Sequence, residues 1–413
     1  MQQLTPSQQT AYEILTGPSN VFLTGVAGTG KSYLLRYFMR GLDLKKFPVL
    51  ASTGAAAVLI GGRTFHSFFG LGILEGGAHQ TLHRALEDQR LKSRLRRIDG
   101  FVLDEVSMIS GEVLNVAEQI ARLARDCDEP WGGLKVVVVG DFAQLPPISR
   151  NSRFKDWAFL SDVWRKTEFV PVVLTEIVRT DDDEFVKVLN DVREGIVSRD
   201  VESFLQSRMD SELDDQYSGT CLFAHRQVTE NYNQKKLAEI DDELFCFPTV
   251  YSGSEKQIEV LKKNAPIAEE IYLKRSAFVM TRMNDPRYRF INGSTGHVID
   301  VEKDKLILRL KNSREVEIEP TEFSILDAEG KVTAIARNFP ISLAYATTIH
   351  KSQGMTLDSA FVDLARLWEP GQAYVALSRL SRGEGLKIAA WSKESIKADA
   401  DVKKFHEQCL SVL

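Results

Sequence analysis

Short apolar runs alternate with helical patterns through the first part of the chain. Residues 20–24 (NVFLT) read as a buried strand, and a glycine-rich turn then leads into a helical pattern over 32–39. Residues 47–52 (FPVLAS) predict a second strand, Phe101-Val102-Leu103 a third, and Lys135–Val139 (KVVVV) a fourth, too apolar for a sheet edge. Such alternation predicts βαβ units and a parallel sheet covered on both faces. The pattern changes over 184–208, where Phe185, Val188, Leu189 and Val192 share one helical face. From 294 to 334 the period falls to two. Residues 297–301, 305–310 and 315–318 alternate between polar turns at 302–304 and 312–313, which predicts a small antiparallel β module inserted into a larger domain. The tail returns to a strand at 359–363 (SAFVD) and a helix opening over 371–377. Neither internal repeats nor low-complexity segments interrupt this order.

Composition narrows the class. A chain of 413 residues accommodates two to four domains, and 43% hydrophobic with 26% charged residues is the make-up of a globular protein with a buried core. The net charge of −5 argues against passive binding of nucleic acid by the whole surface, yet leaves room for a local basic channel. The cluster Arg94, Arg96 and Arg97 and the acidic run Asp181 to Glu184 read as solvated faces. Cys127, Cys221, Cys246 and Cys409 lack metal-ligand spacing and are expected to be reduced thiols of an intracellular protein. The opening MQQLTPSQQTAYEIL lacks a signal-peptide pattern and no apolar run reaches membrane-spanning length, so the expected location is the cytoplasm.

Candidate chemistry begins at the first turn. Gly25-Val26-Ala27-Gly28-Thr29-Gly30-Lys31-Ser32 has the spacing G-x-x-x-x-G-K-[ST] between a predicted strand and a predicted helix. Glycines let backbone N–H groups curl around a phosphate, Lys31 supplies charge to the β- and γ-phosphates, and Ser32 offers a hydroxyl to Mg²⁺. Asp104-Glu105 ends the third strand, where α/β sheets bind ligands. Asp104 is placed to hold Mg²⁺, and Glu105 to orient or deprotonate an attacking water. Gly140-Asp141-Phe142-Ala143-Gln144-Leu145-Pro146-Pro147 follows the fourth strand, and the Gln144 amide there is able to bond both γ-phosphate and water.

These segments resemble superfamily-one helicases of the 5′-to-3′ branch, above all the petite-integration-frequency (PIF) family, with the RecD and Dda helicases as relatives. Leu4-Thr5-Pro6-Ser7-Gln8 is similar to the adenine-reading Q motif, Gly25 to Ser32 to motif I, and Ala51 to Ala57 continuing to Ser67 to motif Ia. Leu103 to Met108 resembles motif II, Gly140 to Pro147 motif III, Leu174-Thr175-Glu176-Ile177-Val178-Arg179 motif IV. Trp131-Gly132-Gly133 is similar to a family signature. Ala344 to Thr356 resembles motif V, and Tyr374-Val375-Ala376-Leu377-Ser378-Arg379 motif VI.

The resemblance implies an α/β fold of two RecA-like parallel-sheet domains with a small wedge insertion and an inserted SH3-like β-barrel module. Motor domain 1A would span 1–62 and 98–172, the wedge 63–97, motor domain 2A 173–293 and 335–413, and the SH3-like insertion 294–334. It implies ATP and Mg²⁺ as cofactors. Gln8, Gly25, Ala27, Gly28, Thr29, Gly30, Lys31, Ser32 and Gly354 would bind nucleotide, and Arg179 and Arg379 would bring charge from a second domain to the γ-phosphoryl group. Thr53, Gly54, His66, Ser67, Phe68, Asn292, Thr348, His350, Lys351 and Ser352 would contact DNA. His66 reads equally as a structural residue, Phe68 and Phe69 as base-stacking or core residues, and the loop at Asn292 as a structural turn. Residues 70–97 follow no pattern alignable to the wedge. The expected function is a monomeric helicase of minimal core moving 5′-to-3′ on single-stranded DNA and unwinding forked or tailed duplex. Its rivals are a translocase that displaces proteins with little unwinding, and an ATP-gated clamp.

Overall fold

Strands buried on both faces need helices above and below them, and the first part of the chain supplies both. The computed structural model describes all residues except 1–3, 61, 73–76, 148–154, 211–216, 218, 286, 288, 312, 327–331 and 412–413. Strands β1 (Val21–Gly25), β2 (Val49–Ala51), β3 (Arg63–Thr64), β4 (Gly100–Asp104), β5 (Lys135–Val139) and β6 (Val170–Leu174) form one sheet in the order β3-β2-β4-β5-β1-β6. Every pairing is parallel. Pro171 is accommodated because β6 is an edge strand.

Helix α1 (Pro6–Thr16) starts with a capping box between Thr5 and Gln8, with proline in its first turn. Helix α2 (Lys31–Met39) follows β1, and α3 (Gly54–Leu59) and α4 (Phe65–Phe68) follow β2 and β3. The segment without an alignable pattern forms α5 (Gly77–Glu87) and α6 (Gln89–Arg97), both packed on α7 (Gly111–Arg125). Asp88 caps α6, and Leu91 and Leu95 turn one face inward. Phe68 and Phe69 are 3% and 0% exposed, packed on each other with Phe69 against Phe101 and Trp131. Of the two readings the sequence left for these rings, the core holds both, so neither offers a face to a base. Helix α8 (Asp162–Thr167) leads into β6.

The chain divides into two compact units: Met1–Arg179 with Ile325–Thr333 and Ala400–Leu413, and Thr180–Ser324 with Ala334–Asp399. The second opens with α9 (Asp183–Arg193) and α10 (Arg199–Ser207). The single helical stretch expected there breaks at Gly195, whose φ of 67° favours glycine. Strand β7 (Thr220–Phe223) and helix α11 (Arg226–Ala238) follow, then β8 (Phe245–Pro248), β9 (Val250–Gly253), α12 (Glu255–Asn264), β10 (Glu270–Leu273) and β11 (Phe278–Thr281). Next come β12 (Thr295–Val301), β13 (Leu306–Leu310), β14 (Glu315–Ile318), β15 (Thr321–Leu326), β16 (Val332–Asn338) and β17 (Ile341–Leu343). The unit closes with β18 (Ala346–Thr348), β19 (Ala360–Asp363), α13 (Gln372–Leu377) and β20 (Leu386–Ala390).

Its parallel sheet has the order β18-β7-β19-β20. The period-two segment joins an antiparallel sheet, β14-β13-β12-β11-β17. The expected boundaries of 294–334 are therefore too narrow. Strand β12 needs a backbone partner on each edge, and β11 supplies the one that β13 does not. Smaller sheets pair β10 with β8 and align β15-β16-β9.

A further boundary moves. The sequence reading carried the second motor domain to the end of the chain, but helix α14 (Ala400–Ser411) belongs to the first unit. Phe405 stacks on Phe159 at 4.3 Å and meets Phe22, Phe142 and Trp164. Aromatic area of this size outweighs nearness in sequence.

Candidate active site

In the first unit the chemistry collects where the parallel strands end. Gly25 closes β1 with φ 149°, and a Cβ there would lie 2.4 Å from the Leu174 carbonyl oxygen on β6. Gly30 caps α2 with φ 83°, and a Cβ would strike Nε2 of Gln8 at 2.5 Å. The loop therefore needs glycine at both ends. Between them Thr29 Oγ1 donates to the Val26 carbonyl at 2.9 Å. The Lys31 ammonium folds over the loop, donating to the carbonyls of Gly25 (2.7 Å) and Val26 (3.1 Å). Ser32 is exposed in the first turn of α2.

Gln8 is almost fully buried. Its Nε2 donates to the Thr29 carbonyl at 3.2 Å and its Oε1 accepts from the Thr5 N–H at 3.2 Å, so it braces the loop. The Val178 N–H donates to the Gly28 carbonyl at 3.0 Å, beside Ala27, and a Cβ on Gly28 would touch Arg179 Cβ at 3.0 Å. This corrects the expected domain of Arg179. It belongs to the first unit, because β6 runs parallel to β1 with Leu174 opposite Gly25 and delivers the next residues to the loop.

Asp104 and Glu105 end β4. Desolvation raises the Asp104 carboxyl above its usual range, against the Glu105 N–H and the cations Lys31 and Arg36. Glu105 has φ 55° and ψ 48°, a left-handed backbone that costs a residue other than glycine about 1–2 kcal/mol. Beyond β5 the Gly140 N–H donates to the Leu23 carbonyl at 3.1 Å, and the Gln144 N–H to the Asp141 carbonyl at 3.1 Å. Asp141 is fully buried. Its Oδ1 accepts from the Ala143 N–H at 3.1 Å and lies 3.8 Å from His406 Nε2. The sequence reading gave no role to this pair, whose spacing along the chain carries no signal.

Among the described residues no three His, Cys, Asp or Glu side chains gather as a metal site. The Ser32 hydroxyl and Asp104 carboxylate are hard oxygen donors, and a Mg²⁺ ion commonly takes its other ligands from phosphate and water.

The remaining candidates lie elsewhere in the two units. Thr53 Oγ1 accepts from the Ala56 N–H at 3.2 Å, capping α3 where Gly54 opens it. His66 sits in α4, and burial lowers its pKa. Ser67 Oγ accepts from Arg63 at 2.9 Å.

In the second unit Thr348 ends β18, and its Oγ1 accepts from the Lys351 N–H at 3.1 Å. Ser352 is fully buried and donates to the Ile349 carbonyl at 2.7 Å. His350 and Lys351 are exposed as residues, yet partial burial of their titrating groups lowers both pKa values. Gly354 has φ 77° and open space where a Cβ would point. Asn292 Oδ1 is buried with no hydrogen-bond partner. Arg379 is 2% exposed and donates to the carbonyls of Val375 (2.8 Å) and Ser352 (3.4 Å) and to Ser378 Oγ (2.8 Å). It thus ties α13 to the loop after β18.

Comparison with known proteins bears on this arrangement. Residues 3–203 match the family model for PIF1-like helicases. An ATP-dependent DNA helicase Pif1 from Bdellovibrio bacteriovorus is 50% identical over 98% of this chain and 92% of its own length. The chain belongs to the PIF1-like helicase family. As a PIF1-like helicase it is an enzyme, and its α/β fold comprises two RecA-like parallel-sheet domains. The crystal structure of Bacteroides sp Pif1 in complex with ADP-AlF4 matches this PIF1-like chain with TM-score 0.88 and 29% identity, covering 100% of it and 98% of the other chain. The crystal structure of Bacteroides Pif1 bound to ssDNA matches with TM-score 0.67 at the same identity and coverage.

Proposed function

We propose that this helicase hydrolyses ATP to move 5′-to-3′ along single-stranded DNA and to unwind the duplex ahead. The observation that carries the reading is the strand-end cluster of the first unit, where Asp104 feels the charge of Lys31 and adjoins Glu105. Lys31 would leave the loop carbonyls for the β- and γ-phosphates. Ser32 and Asp104 would hold Mg²⁺, which screens phosphate charge and lowers the carboxyl pKa. Glu105 would take the proton of the attacking water and Gln144 would hold that water. Arg179 and Arg379 would stabilise the developing charge on the γ-phosphoryl group. Gln8 would act on adenine through the loop it braces, and Gly354 would let the motif V backbone approach the nucleotide.

Thr53, Gly54, His66, Ser67, Asn292, Thr348, His350, Lys351 and Ser352 remain the proposed DNA contacts, with hydroxyls and backbone groups that hold phosphates without reading sequence. The Bacteroides protein solved with ssDNA supports that track. Among the described residues no helix is long and apolar enough to cross a membrane. The helicase would act in the cytoplasm, as a single copy on DNA.

Strand separation on 5′-tailed and 3′-tailed duplexes tests polarity. Unwinding is expected only with the 5′ tail, and equal unwinding of the 3′-tailed substrate would refute it. One observation favours protein displacement with little unwinding: Phe68 and Phe69 are in the core, and no exposed large hydrophobic residue stands among the described part of 63–97. Streptavidin displacement measured beside strand separation distinguishes the two.

A further inference from the structure

Arg282 follows β11, and its backbone N–H donates to the Pro340 carbonyl at 2.8 Å. Its guanidinium is poorly served by comparison. Nη1 meets only the thioethers of Met355 (3.6 Å) and Met280 (3.7 Å), and Nε reaches the Pro266 carbonyl at 3.4 Å. Thioether sulfur is a weak acceptor, and no carboxylate pairs with this guanidinium among the described residues. Burial lowers its pKa to about 10. Met355 lies in the loop after β18 that also carries Lys351. The Lys351 ammonium is lowered by desolvation first, then by the neighbouring cations Arg226 and Arg282, with Glu230 opposing. Glu230 is already engaged, accepting from Arg226 Nε at 2.5 Å.

Cations from three separate segments therefore converge against one carboxylate that is already bonded. Arg226 and Lys351 are exposed, but the Arg282 guanidinium is desolvated, and such a charge costs the fold free energy unless it is paired. The missing partner must be an anion from outside with several acceptor oxygens, able to satisfy a planar guanidinium fork and an ammonium together. We propose that Arg282 and Lys351 form a binding site for one phosphodiester of a single nucleic-acid strand, with Arg226 at its rim. The site rests on the nucleic-acid reading given above and adds to it two arginines outside the proposed contacts.

The test uses the full chain without nucleotide and a fluorescein-labelled oligo(dT), with anisotropy titrations at several salt concentrations. Deleting one cation that neutralises a phosphate of a single strand reduces the slope of log K against log salt by about 0.7. Arg282→Met is expected to flatten the slope by about that amount and weaken binding several-fold. Its melting midpoint should hold or rise, because the unpaired charge is gone. Arg282→Lys should restore most of the slope. A misfolded fraction lowers the signal amplitude but not the slope, so slope decides the matter. An unchanged slope in Arg282→Met, with a normal slope in the wild type, overturns the inference alone. Absence of salt-dependent binding in the wild type overturns the nucleic-acid reading itself.

Discussion

Lys31 and Arg282 are both cations at loops that follow strands, yet they rest in opposite conditions. Lys31 donates to two carbonyls of its own loop and lies within reach of the Asp104 charge. Arg282 has two thioethers and one distant carbonyl. The cation of the first unit is bonded within its own loop, whereas that of the second has two weak acceptors and one long bond. A nucleotide arriving with a metal brings both signs of charge, so a site of acid beside base suits it. A nucleic-acid strand brings only negative charge, so uncompensated cations suit that partner.

Substitutions can break this contrast. The largest effect is expected from Lys31→Ala, which should lower phosphate release by about a thousandfold or more, because positioned charge on the transferred phosphoryl group supplies much of catalysis. A loss of less than tenfold would place the phosphate site elsewhere. Glu105→Gln comes next, at about a hundredfold in turnover with nucleotide binding retained, the usual worth of a general base. Glu105→Gly adds a sharper reading. It should be as inactive, yet raise the melting midpoint, since glycine accepts the left-handed backbone. A lower midpoint would show that the side chain contributes more to stability than its backbone costs.

The smallest effect contrasts two arginines of one loop. Arg289, unlike Arg282, has its carboxylate: Nη2 donates to Asp285 at 2.7 Å and Nε at 3.2 Å. These bonds hold the Asp285 carboxyl down at about 2. The folded pKa lies below the unfolded one, so the stabilisation is complete above pH ~4 and fades as pH falls towards 2. Melting midpoints between pH 2 and 5 should drop for the wild type and drop less for Asp285→Asn. Parallel curves would remove the pairing from the stability of the fold.

The first sheet was legible because its strands are short, apolar and bounded by turns. The fourth predicted strand coincides with β5 (Lys135–Val139), and the predicted helix from Ser32 begins one residue earlier. The P-loop was legible because its spacing is local. What escaped notice depends on long-range packing. Residues 170–174 (VPVVL) contain a proline that reads against a strand, and only the free edge of β1 makes β6 possible; Arg179 was misplaced for that reason. Leu91 and Leu95 mark one helical face, but a face this short, among arginines, is weak evidence until α7 stands opposite. The left-handed backbone of Glu105 and the sulfur surroundings of Arg282 have no sequence signature.

Helix α14 has a consequence for how the protein is made. Its Phe405 completes an aromatic cluster of the first unit, yet it is synthesised after the whole of the second. Translation at roughly 5–20 residues per second leaves an interval on the order of tens of seconds between the two. During that time Phe22, Phe142, Phe159 and Trp164 lack a ring that later packs against them. On the ribosome, then, the aromatic cluster of the first unit gains its Phe405 ring only after the second unit has been synthesised.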